Sequence, residues 1–278
     1  MPELPEVETI KNELSPRVVG QSFTQVTILD AKIIKDCSVE EVSRGLIGQR
    51  IESLERRGKY LIFHLSNGRS LVMHLRMTGV LLLNPKEVDR YARAVFQFSN
   101  GNRLVFRDLR RLGVIWLVDE ARTVVGKLGP EPLCEDFTPD ILGQRLSQRH
   151  IPVKAALLDQ SIVAGIGNMY ADEALFAARI HPLKKVNTLS AAELQTLCHC
   201  INKVLRAGIG SKGASVNTYI RPEGELGTAH SDFKVAHRRG KLCPVCGTAI
   251  ERVSVQNRGS YFCPRCQALG SERVNQSW

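Results

Sequence analysis

Short apolar runs that alternate with polar residues fill the first half of the chain. Between about residue 22 and residue 118, their length and their period of two are typical of β-strands. The turn sequence Ser-Asn-Gly separates runs at residues 66–68 and again at 99–101. The predicted strands cover residues 60–65, 70–75, 80–83, 94–98, 103–106 and 114–118, after an earlier one marked by Val26 and Ile28. Many short strands at this spacing predict an antiparallel sandwich or barrel.

Helical periodicity occurs at the start of the chain and again after the prolines at positions 130 and 132. Val7, Ile10 and Leu14 share one stripe, and Pro5 suits the first turn of a helix. Later helices are predicted over residues 141–146, 153–158, 168–178 and 191–207. The polar, glycine-rich stretch 208–227 is predicted to be a long mobile loop. The pattern predicts an α+β protein in which an N-terminal helix packs on a β-sandwich and a helical region follows.

Four cysteines near the C-terminal end follow a metal-binding spacing. Cys243, Cys246, Cys263 and Cys266 form a Cys-x2-Cys-x16-Cys-x2-Cys pattern, which predicts one structural Zn²⁺ held by four thiolates. Two disulfides are the alternative, but they fit an intracellular chain poorly. The segment between the two pairs alternates like a β-hairpin and carries Arg258. We therefore expect a zinc-held hairpin with a basic tip that faces a phosphate backbone.

The charge balance narrows the class of partner. The 278-residue chain carries 38 lysines and arginines against 28 acidic residues, a net charge of +10 and a pI near 9.4. This balance favours a polyanionic partner, with nucleic acid first and an anionic membrane second. No apolar run approaches the length of a membrane span, and no secretory signal opens the chain. We therefore expect a soluble intracellular protein with no membrane partner.

The N-terminal residues offer a nucleophile. If Met1 is removed, the chain begins with the secondary amine of Pro2 beside the carboxylate of Glu3. A neutral amine can attack an electrophilic carbon and form an iminium adduct, and a neighbouring carboxylate can act as general acid or base. An ordinary α-amino group has a pKa of about 7.7–8.0, so a usable fraction is neutral at pH 7. The alternative is an ordinary processed terminus at a helix start, and these residues alone do not decide between the two.

Four further stretches combine polar and apolar residues in ways that suit DNA binding. Residues 56–60 are a basic cluster that includes Lys59, and a solvated turn is the alternative. Residues 74–79 place Met77 in a turn, where it either caps the core or enters a nucleic-acid stack. Residues 107–113 form either a surface ion-pair network or a base-reading wedge. Two glycines before Asn168 predict a helix N-cap that presents backbone N–H groups to an anion, with an ordinary helical corner as the alternative.

These motifs, in this order, resemble the formamidopyrimidine-DNA glycosylase family, bacterial enzymes that excise 8-oxoguanine and ring-opened purines. The resemblance covers essentially the whole chain and rests on residues 1–8, 58–60, 74–79, 108–113, 165–173 and 258–266. It implies an N-terminal catalytic β-sandwich domain at residues 1–130. A helical helix–two-turn–helix domain at 131–232, with a lesion-capping loop at 208–227, and a zinc finger at 233–270 are implied to follow. DNA is expected to cross the cleft between them.

The family's chemistry, carried over by resemblance, assigns four catalytic residues. Pro2 would attack C1′ of a nucleotide flipped from the stack, and Glu3 would assist departure of the base by proton transfer. Lys59 resembles the basic residue that holds the phosphate or sugar of the lesion and assists β-elimination. Arg258 resembles the finger arginine that assists δ-elimination and grips phosphate. The implied product is a one-nucleotide gap with a phosphate at each end.

The resemblance also implies two sets of binding residues. Met77 and Arg110 would fill the vacated stack, with Arg110 facing the orphan cytosine. The implied DNA-binding residues are Met77, Tyr91, Arg110, Leu112, Arg149, Lys154 and Asn168. The implied lesion-pocket residues are Glu6, Glu173, Ser215, Val216, Asn217, Thr218 and Tyr219. The implied partner is double-stranded DNA with an oxidised base, bound by a monomer in the bacterial cytoplasm at the nucleoid.

Several positions depart from the family pattern and keep two alternatives open. Leu112 stands where phenylalanine is usual and Arg76 where glycine is common, while Tyr91 and Arg93 replace histidines and Asn217 replaces a basic residue. These departures bear on lesion preference rather than on the reaction. An endonuclease VIII-like glycosylase for oxidised pyrimidines is one alternative, although its members usually have glycine in place of Leu4. The other is a non-catalytic zinc-finger DNA-binding protein, for which Pro2, Glu3 and Lys59 together would have no purpose. A retained Met1 would block the amine in any fold.

Overall fold

The computed structural model describes residues 2–269. They fall into two compact units. The first unit consists of the chain up to Lys127 together with Gly208–His230. The second consists of Leu128–Ala207 and the chain from Ser231 onwards. The segment that follows the last long helix therefore belongs to the N-terminal unit, whereas the sequence groups it with the helices. The predicted domain boundaries themselves stay a prediction.

The first unit is an antiparallel β-sandwich with helices at its border. Helix α1 (Leu4–Val18) precedes it, and α2 (Val39–Leu46) and α3 (Arg122–Val125) complete the helical part. The strands are β1 (Phe23–Ile28), β2 (Ile51–Arg57), β3 (Tyr60–Leu65), β4 (Ser70–His74), β5 (Gly79–Leu83), β6 (Ala92–Phe98), β7 (Arg103–Asp108) and β8 (Val114–Val118). One sheet has the order β1-β6-β7-β5 and the other β2-β3-β4-β8. Sequence periodicity predicted most of these strands, but it missed β2 and the amphipathic helix α2.

Alternating residues of both sheets and one stripe of α1 share a single hydrophobic core. Phe63, Phe96 and Phe106 lie in this core with Leu14 of α1. The predicted packing of the N-terminal helix on the sandwich is therefore confirmed. Burial of each large apolar side chain stabilises the fold by about 1.5–3 kcal/mol. Because α1 contributes such side chains to the core, the residues at its start are held against the sandwich.

The second unit is helical and ends in a small hairpin. Its helices are α4 (Pro139–Leu146), α5 (Val153–Leu158), α6 (Asn168–Ala177) and α7 (Ala191–Gly210), and its hairpin strands are β9 (Glu251–Val255) and β10 (Arg258–Phe262). Helix α7 extends three residues into the stretch that the sequence assigned to a loop. Among residues 2–269, no helix combines the length and the apolar character needed to cross a membrane.

Candidate functional site

The first turn of α1 holds the proposed nucleophile and its neighbouring carboxylate. Pro2 is buried, and Glu3 is the N-cap residue of the helix with Pro5 in the first turn, as predicted. The backbone N–H of Glu3 donates to Glu6 Oε2 at 2.7 Å. Because the positive end of a helix dipole disfavours another positive charge nearby, this position favours the neutral form of an amine.

The Glu6 carboxylate connects this terminus to the segment after α7. Its Oε1 accepts a hydrogen bond from the backbone N–H of Ala214 at 2.8 Å, and the whole side chain is buried. Gly213 has φ +79°, and a Cβ there would lie only 2.9 Å from Glu6 Cγ. Only glycine therefore fits at this close approach without strain.

The segment 208–227 is anchored at several points, in contrast to the mobile loop that its composition predicts. The hydroxyl of Tyr219 donates to Lys212 O at 3.1 Å, and its ring lies in the sandwich core. Burial raises the pKa of this hydroxyl. Ser215 Oγ accepts from Gly227 N at 2.9 Å, which closes the base of the segment. Tyr219 is therefore a core residue, and its assignment to the lesion pocket stays a prediction.

The tip of this segment lies against the turn between β4 and β5, which carries Met77. Val216 and Thr218 are half-buried and Asn217 is exposed. Thr218 Oγ1 donates to the backbone carbonyl of Met77 at 3.3 Å. The predicted capping residues and one predicted wedge residue are therefore neighbours within the first unit. Their contact with a lesion stays a prediction.

Lys59 lies at the turn between β2 and β3 with a well-defined support. Its side chain is buried, and Gly58 before it has φ +58°. Arg56 donates to Gly58 O at 3.1 Å and to Glu8 Oε2 at 2.6 Å. The alternative of a solvated turn does not fit Arg56, because its side chain is only 8% exposed. Arg56 and Glu8 instead join the lysine turn to α1.

A neutral histidine lies beside the lysine. Burial lowers the pKa of His74 to about 3, and the charges of Arg76 and Lys59 add to the effect. Its ring packs on Tyr60 with the ring centres 4.5 Å apart. His74 Nδ1 accepts from the backbone N–H of Arg76 at 3.0 Å. Arg76 has φ +53°, so this bond supports a residue in the left-handed conformation that glycine would adopt without strain.

The three predicted wedge side chains all reach solvent. Met77 is 45% exposed and Leu112 is 40% exposed, which excludes the alternative that Met77 caps the core. Arg110 Nη1 lies 3.4 Å from Met77 Sδ. The three side chains come from two loops, the β4–β5 turn and the β7–β8 loop, whose tips meet.

The residues that replace the family's histidines take different positions. Two guanidinium groups lie near the ring of Tyr91, with Arg90 at 4.9 Å and Arg107 at 5.0 Å from its centre. Arg93 turns inward instead and donates to the backbone carbonyl of Asp108 at 2.8 Å. Tyr91 remains a predicted DNA contact, while Arg93 supports the β7–β8 loop.

Two predicted contacts in the second unit are buried and structural. Lys154 is fully buried, its ammonium pairs with Asp172, and it also donates to Asn168 O at 3.1 Å. Burial raises the pKa of Asp172, although Lys154 opposes the shift. The charge of Lys154 is therefore paired away from solvent, and its predicted contact with DNA stays a prediction. Lys154 also holds the first turn of α6.

Glu173 is the other buried residue. The Glu173 carboxylate is buried and accepts from the backbone N–H groups of Lys234, Val235 and Ala236, at 2.8 to 3.0 Å. Burial raises its pKa, and these three donors oppose the shift. This carboxylate anchors the chain that leads toward the four cysteines, and its assignment to the lesion pocket stays a prediction.

Asn168 and Arg149 keep positions that suit a binding surface. Gly167 is the N-cap of α6, and Asn168 is its first helical residue, which corrects the predicted cap. Asn168 Nδ2 donates to Gly259 O at 3.0 Å, next to Arg258. Arg149 is 41% exposed and lies 3.2 Å from Asp159 Oδ2. The phosphate contacts assigned to Arg149 and Asn168 stay predictions.

The four cysteines that flank the β9–β10 hairpin form a zinc site, and this part of the chain is called the cysteine hairpin. The four Sγ atoms all lie within 4.8 Å of one another, and two of the pairs are 3.8 and 3.4 Å apart. A tetrahedron with Zn–S bonds of about 2.3 Å has edges of about 3.8 Å, so one Zn²⁺ fits. Phe176, Val235 and Ile250 pack against the cysteines, and Arg258 is exposed at the start of β10. One structural zinc is therefore confirmed.

Comparison with protein-family models identifies three successive matches. Residues 1–115 match the model of the formamidopyrimidine-DNA glycosylase N-terminal domain, and residues 128–219 match the H2TH domain of the same enzymes. Residues 240–269 match the zinc finger found in FPG and IleRS. The order of these three domains and the arrangement of the four cysteines define a zinc-finger protein of the H2TH class.

The chain belongs to the formamidopyrimidine-DNA glycosylase family. It is 44% identical over 275 residues to the formamidopyrimidine-DNA glycosylase of Symbiobacterium thermophilum, covering 97% of this chain and 90% of that protein. It is 42% identical over 271 residues to that of Chloroflexus aurantiacus, covering 96% and 98%. The resemblance inferred from the motifs is thereby confirmed, and so is the predicted α+β fold class.

Solved structures of the family match the fold closely. The Lactococcus lactis enzyme in complex with abasic-site DNA has a TM-score of 0.90 and 33% identity, covering 96% of this chain and 100% of that one. A Lactococcus lactis variant in complex with Fapy-dG DNA has the same TM-score, identity and coverage. The Thermus thermophilus MutM protein has a TM-score of 0.88 and 38% identity, covering 97% and 100%.

Sequence reasoning missed the residues that support the site. The sequence interpretation predicts no supporting contact for Glu8, Thr78 or Asp108, yet each holds a loop that presents a predicted site residue. The one available signal is Asp108, because Asp at the start of a turn typically accepts from the backbone two residues on. The other two supports depend on residues that are distant in sequence.

The zinc site predicts a specific effect of cysteine substitution. Cys263→Ser should reduce bound zinc from one ion per chain to near zero and unfold the hairpin, because folding and metal binding are coupled in such sites. Elemental analysis of the purified protein measures zinc, and Cys134→Ser is the matched control on an exposed cysteine outside the site. Full zinc content in Cys263→Ser would contradict the assigned ligand set.

The buried pair of Lys154 and Asp172 predicts that loss of one partner destabilises the protein more than loss of both. Lys154→Met should destabilise the protein by about 3–5 kcal/mol because it leaves Asp172 buried and unpaired, and removal of both charges should restore much of this loss. Thermal and urea unfolding of Lys154→Met and of the double variant with Asp172→Leu measure the effect. Lys203→Met, on an exposed lysine of α7, is the control. Unchanged stability of Lys154→Met would contradict the buried pairing.

Proposed function

We propose that this chain is a bifunctional DNA glycosylase and abasic-site lyase that removes oxidised purines, 8-oxoguanine and formamidopyrimidines, in base excision repair. The observation that carries the proposal is the Glu6 carboxylate, which fixes Glu3 beside Pro2 at the positive end of α1 and holds the proposed capping segment through Ala214. The relatives named for this activity and those solved with Fapy-dG and abasic DNA support the substrate class.

The proposed reaction begins with the Pro2 amine after removal of Met1. The nitrogen attacks C1′ of the flipped nucleotide, a C1′–N bond forms, and the glycosidic bond breaks. Glu3 takes part in the proton transfer that accompanies departure of the base. The amine then loses its proton and the sugar ring opens: the C1′–O4′ bond breaks, O4′ takes up a proton, and the nitrogen lone pair completes the C1′=N double bond of an iminium between Pro2 and the sugar. An amine at the positive end of a helix dipole and a neighbouring fixed carboxylate are the two groups that this step requires.

Strand cleavage follows from the iminium. The iminium acidifies the hydrogen on C2′. Loss of that proton and of the 3′ phosphate completes β-elimination. A second elimination then releases the 5′ phosphate. We assign assistance of the first elimination to Lys59, which is held through Arg56 and Glu8. The second we assign to Arg258, which is exposed at the start of β10. Water then releases the sugar fragment from Pro2.

The binding roles follow the distribution of exposed groups. We assign Met77, Arg110 and Leu112 to the stack that the flipped base leaves, with Arg110 toward the orphan cytosine. Arg149, Asn168 and Tyr91 are assigned to the DNA backbone, where neutralised phosphates make binding weaken steeply with salt. The lesion is assigned to the neighbourhood of Glu6 and of residues 215–218. Because chromosomal DNA is the substrate, we place a monomeric enzyme in the bacterial cytoplasm at the nucleoid.

Incision assays test this proposal directly. With a duplex that carries 8-oxoguanine opposite cytosine, we expect a one-nucleotide gap with phosphates at both ends. Glu3→Gln should slow base excision by about 10²-fold or more, because it removes a positioned acid–base group. Glu87→Gln, the same change on an exposed loop, should leave the rate unchanged. Incision only at an oxidised pyrimidine would support the endonuclease VIII-like alternative, and DNA binding without incision at any lesion would support a non-catalytic binder.

The two elimination steps can be separated with the finger arginine. Arg258→Ala should accumulate the β-elimination product, because the group assigned to the second step is lost while Pro2, Glu3 and Lys59 remain. Gel analysis of the cleaved strand over time distinguishes the two product ends. Arg265→Ala removes another exposed arginine of the hairpin and is the control. Normal δ-product from Arg258→Ala would exclude the assigned role.

A further inference from the structure

One buried carboxylate joins the two loops that carry the wedge side chains. Asp108 ends β7 and is completely buried. It lies opposite Gly79 in the β5–β7 pairing, so Thr78 at the end of the β4–β5 turn comes beside it. Thr78 Oγ1 donates to Asp108 Oδ1. Unpaired buried carboxylates are costly, and here the donors come from both loops.

The two oxygens of Asp108 hold different parts of the β7–β8 loop. Oδ2 accepts from Leu112 N at 2.8 Å and from Gly113 N at 2.7 Å. Oδ1 accepts from Arg110 N at 3.1 Å in addition to the Thr78 hydroxyl. Arg110 N also lies 3.1 Å from Thr78 Oγ1, which accepts from it. Arg110 is therefore the one wedge residue whose backbone is held by both Thr78 and Asp108.

The surrounding residues make this arrangement rigid. A Cβ at Gly113 would lie 2.3 Å from Phe106 Cζ, so only glycine lets this N–H approach the carboxylate. From the outer side, Arg111 pairs with Asp30 through contacts of 2.5 and 2.8 Å. Arg111 has φ +58°, which reverses the chain between Arg110 and Leu112. The loop therefore has little freedom while these bonds persist.

We propose that Thr78 and Asp108 are positioning residues that set the orientation of Arg110 and thereby determine how strongly the enzyme discriminates cytosine from other bases opposite the lesion. The inference rests on the proposed function, because it needs Arg110 to face the orphan base. The Thr78 hydroxyl contacts Arg110 N and Asp108 but neither Leu112 nor Gly113. Its removal should loosen Arg110, whose N–H keeps only the bond to Asp108 Oδ1, while the bonds of Leu112 and Gly113 to Asp108 Oδ2 stay in place.

The test compares single-turnover excision of 8-oxoguanine opposite cytosine with excision opposite adenine. Thr78→Val keeps the shape of the side chain and removes the hydroxyl. We expect its cytosine-to-adenine rate ratio to fall by about threefold to tenfold, as suits the loss of hydrogen bonds that involve a carboxylate. Thr78→Ser restores the hydroxyl and should restore the ratio. Thr123→Val, on an exposed threonine of α3, should leave the ratio at the wild-type value.

The ratio separates positioning from general loss of structure. A merely structural role for Thr78 would slow both substrates equally, and that outcome would overturn the inference, as would an unchanged ratio. A wild-type cytosine-to-adenine rate ratio near one would overturn it too, since there would be no discrimination for Thr78 and Asp108 to support. Wild-type protein that excises 8-oxoguanine opposite neither base would instead overturn the proposed function, so the two failures are distinguishable. Thermal unfolding of each variant confirms that the folded enzyme is compared.

Discussion

Buried carboxylates that accept hydrogen bonds from backbone N–H groups are the constraint on which this structure depends, and Glu6 is the central one. Its two oxygens accept from Glu3 and from Ala214. A buried carboxylate is costly in an apolar environment unless donors satisfy it, so each such group favours one arrangement of the chain segments around it. Through Glu6, the start of α1 and the segment after α7 take fixed positions relative to each other.

The same device occurs at two other places. Asp108 fixes the β7–β8 loop and the β4–β5 turn in the first unit. Glu173 fixes the chain before the cysteine hairpin in the second unit. In each case a buried acidic side chain accepts from the backbone of another segment or loop, a contact that the sequence interpretation does not predict.

The sequence predicted the elements with regular patterns and failed where distant contacts decide. The strands of β3 to β8 and the helices α4 to α7 follow from periodicity, and the zinc site follows from cysteine spacing alone. The buried pairing of Lys154 could not be predicted, because no local pattern indicates that Asp172 lies beside it away from solvent. The anchored state of residues 208–227 was missed for the same reason, since composition alone does not reveal the contacts of Ala214 and Tyr219.

The central claim is that Pro2 is the nucleophile, and covalent trapping tests it most directly. The protein is incubated with a duplex that carries 8-oxoguanine opposite cytosine, in the presence of borohydride, which reduces an iminium to a stable amine. Peptide mapping by mass spectrometry then locates the DNA adduct. The account predicts a single adduct on Pro2 at a chain start that lacks Met1. An adduct on Lys59 or on any other lysine, with Pro2 exposed and unmodified, would contradict it.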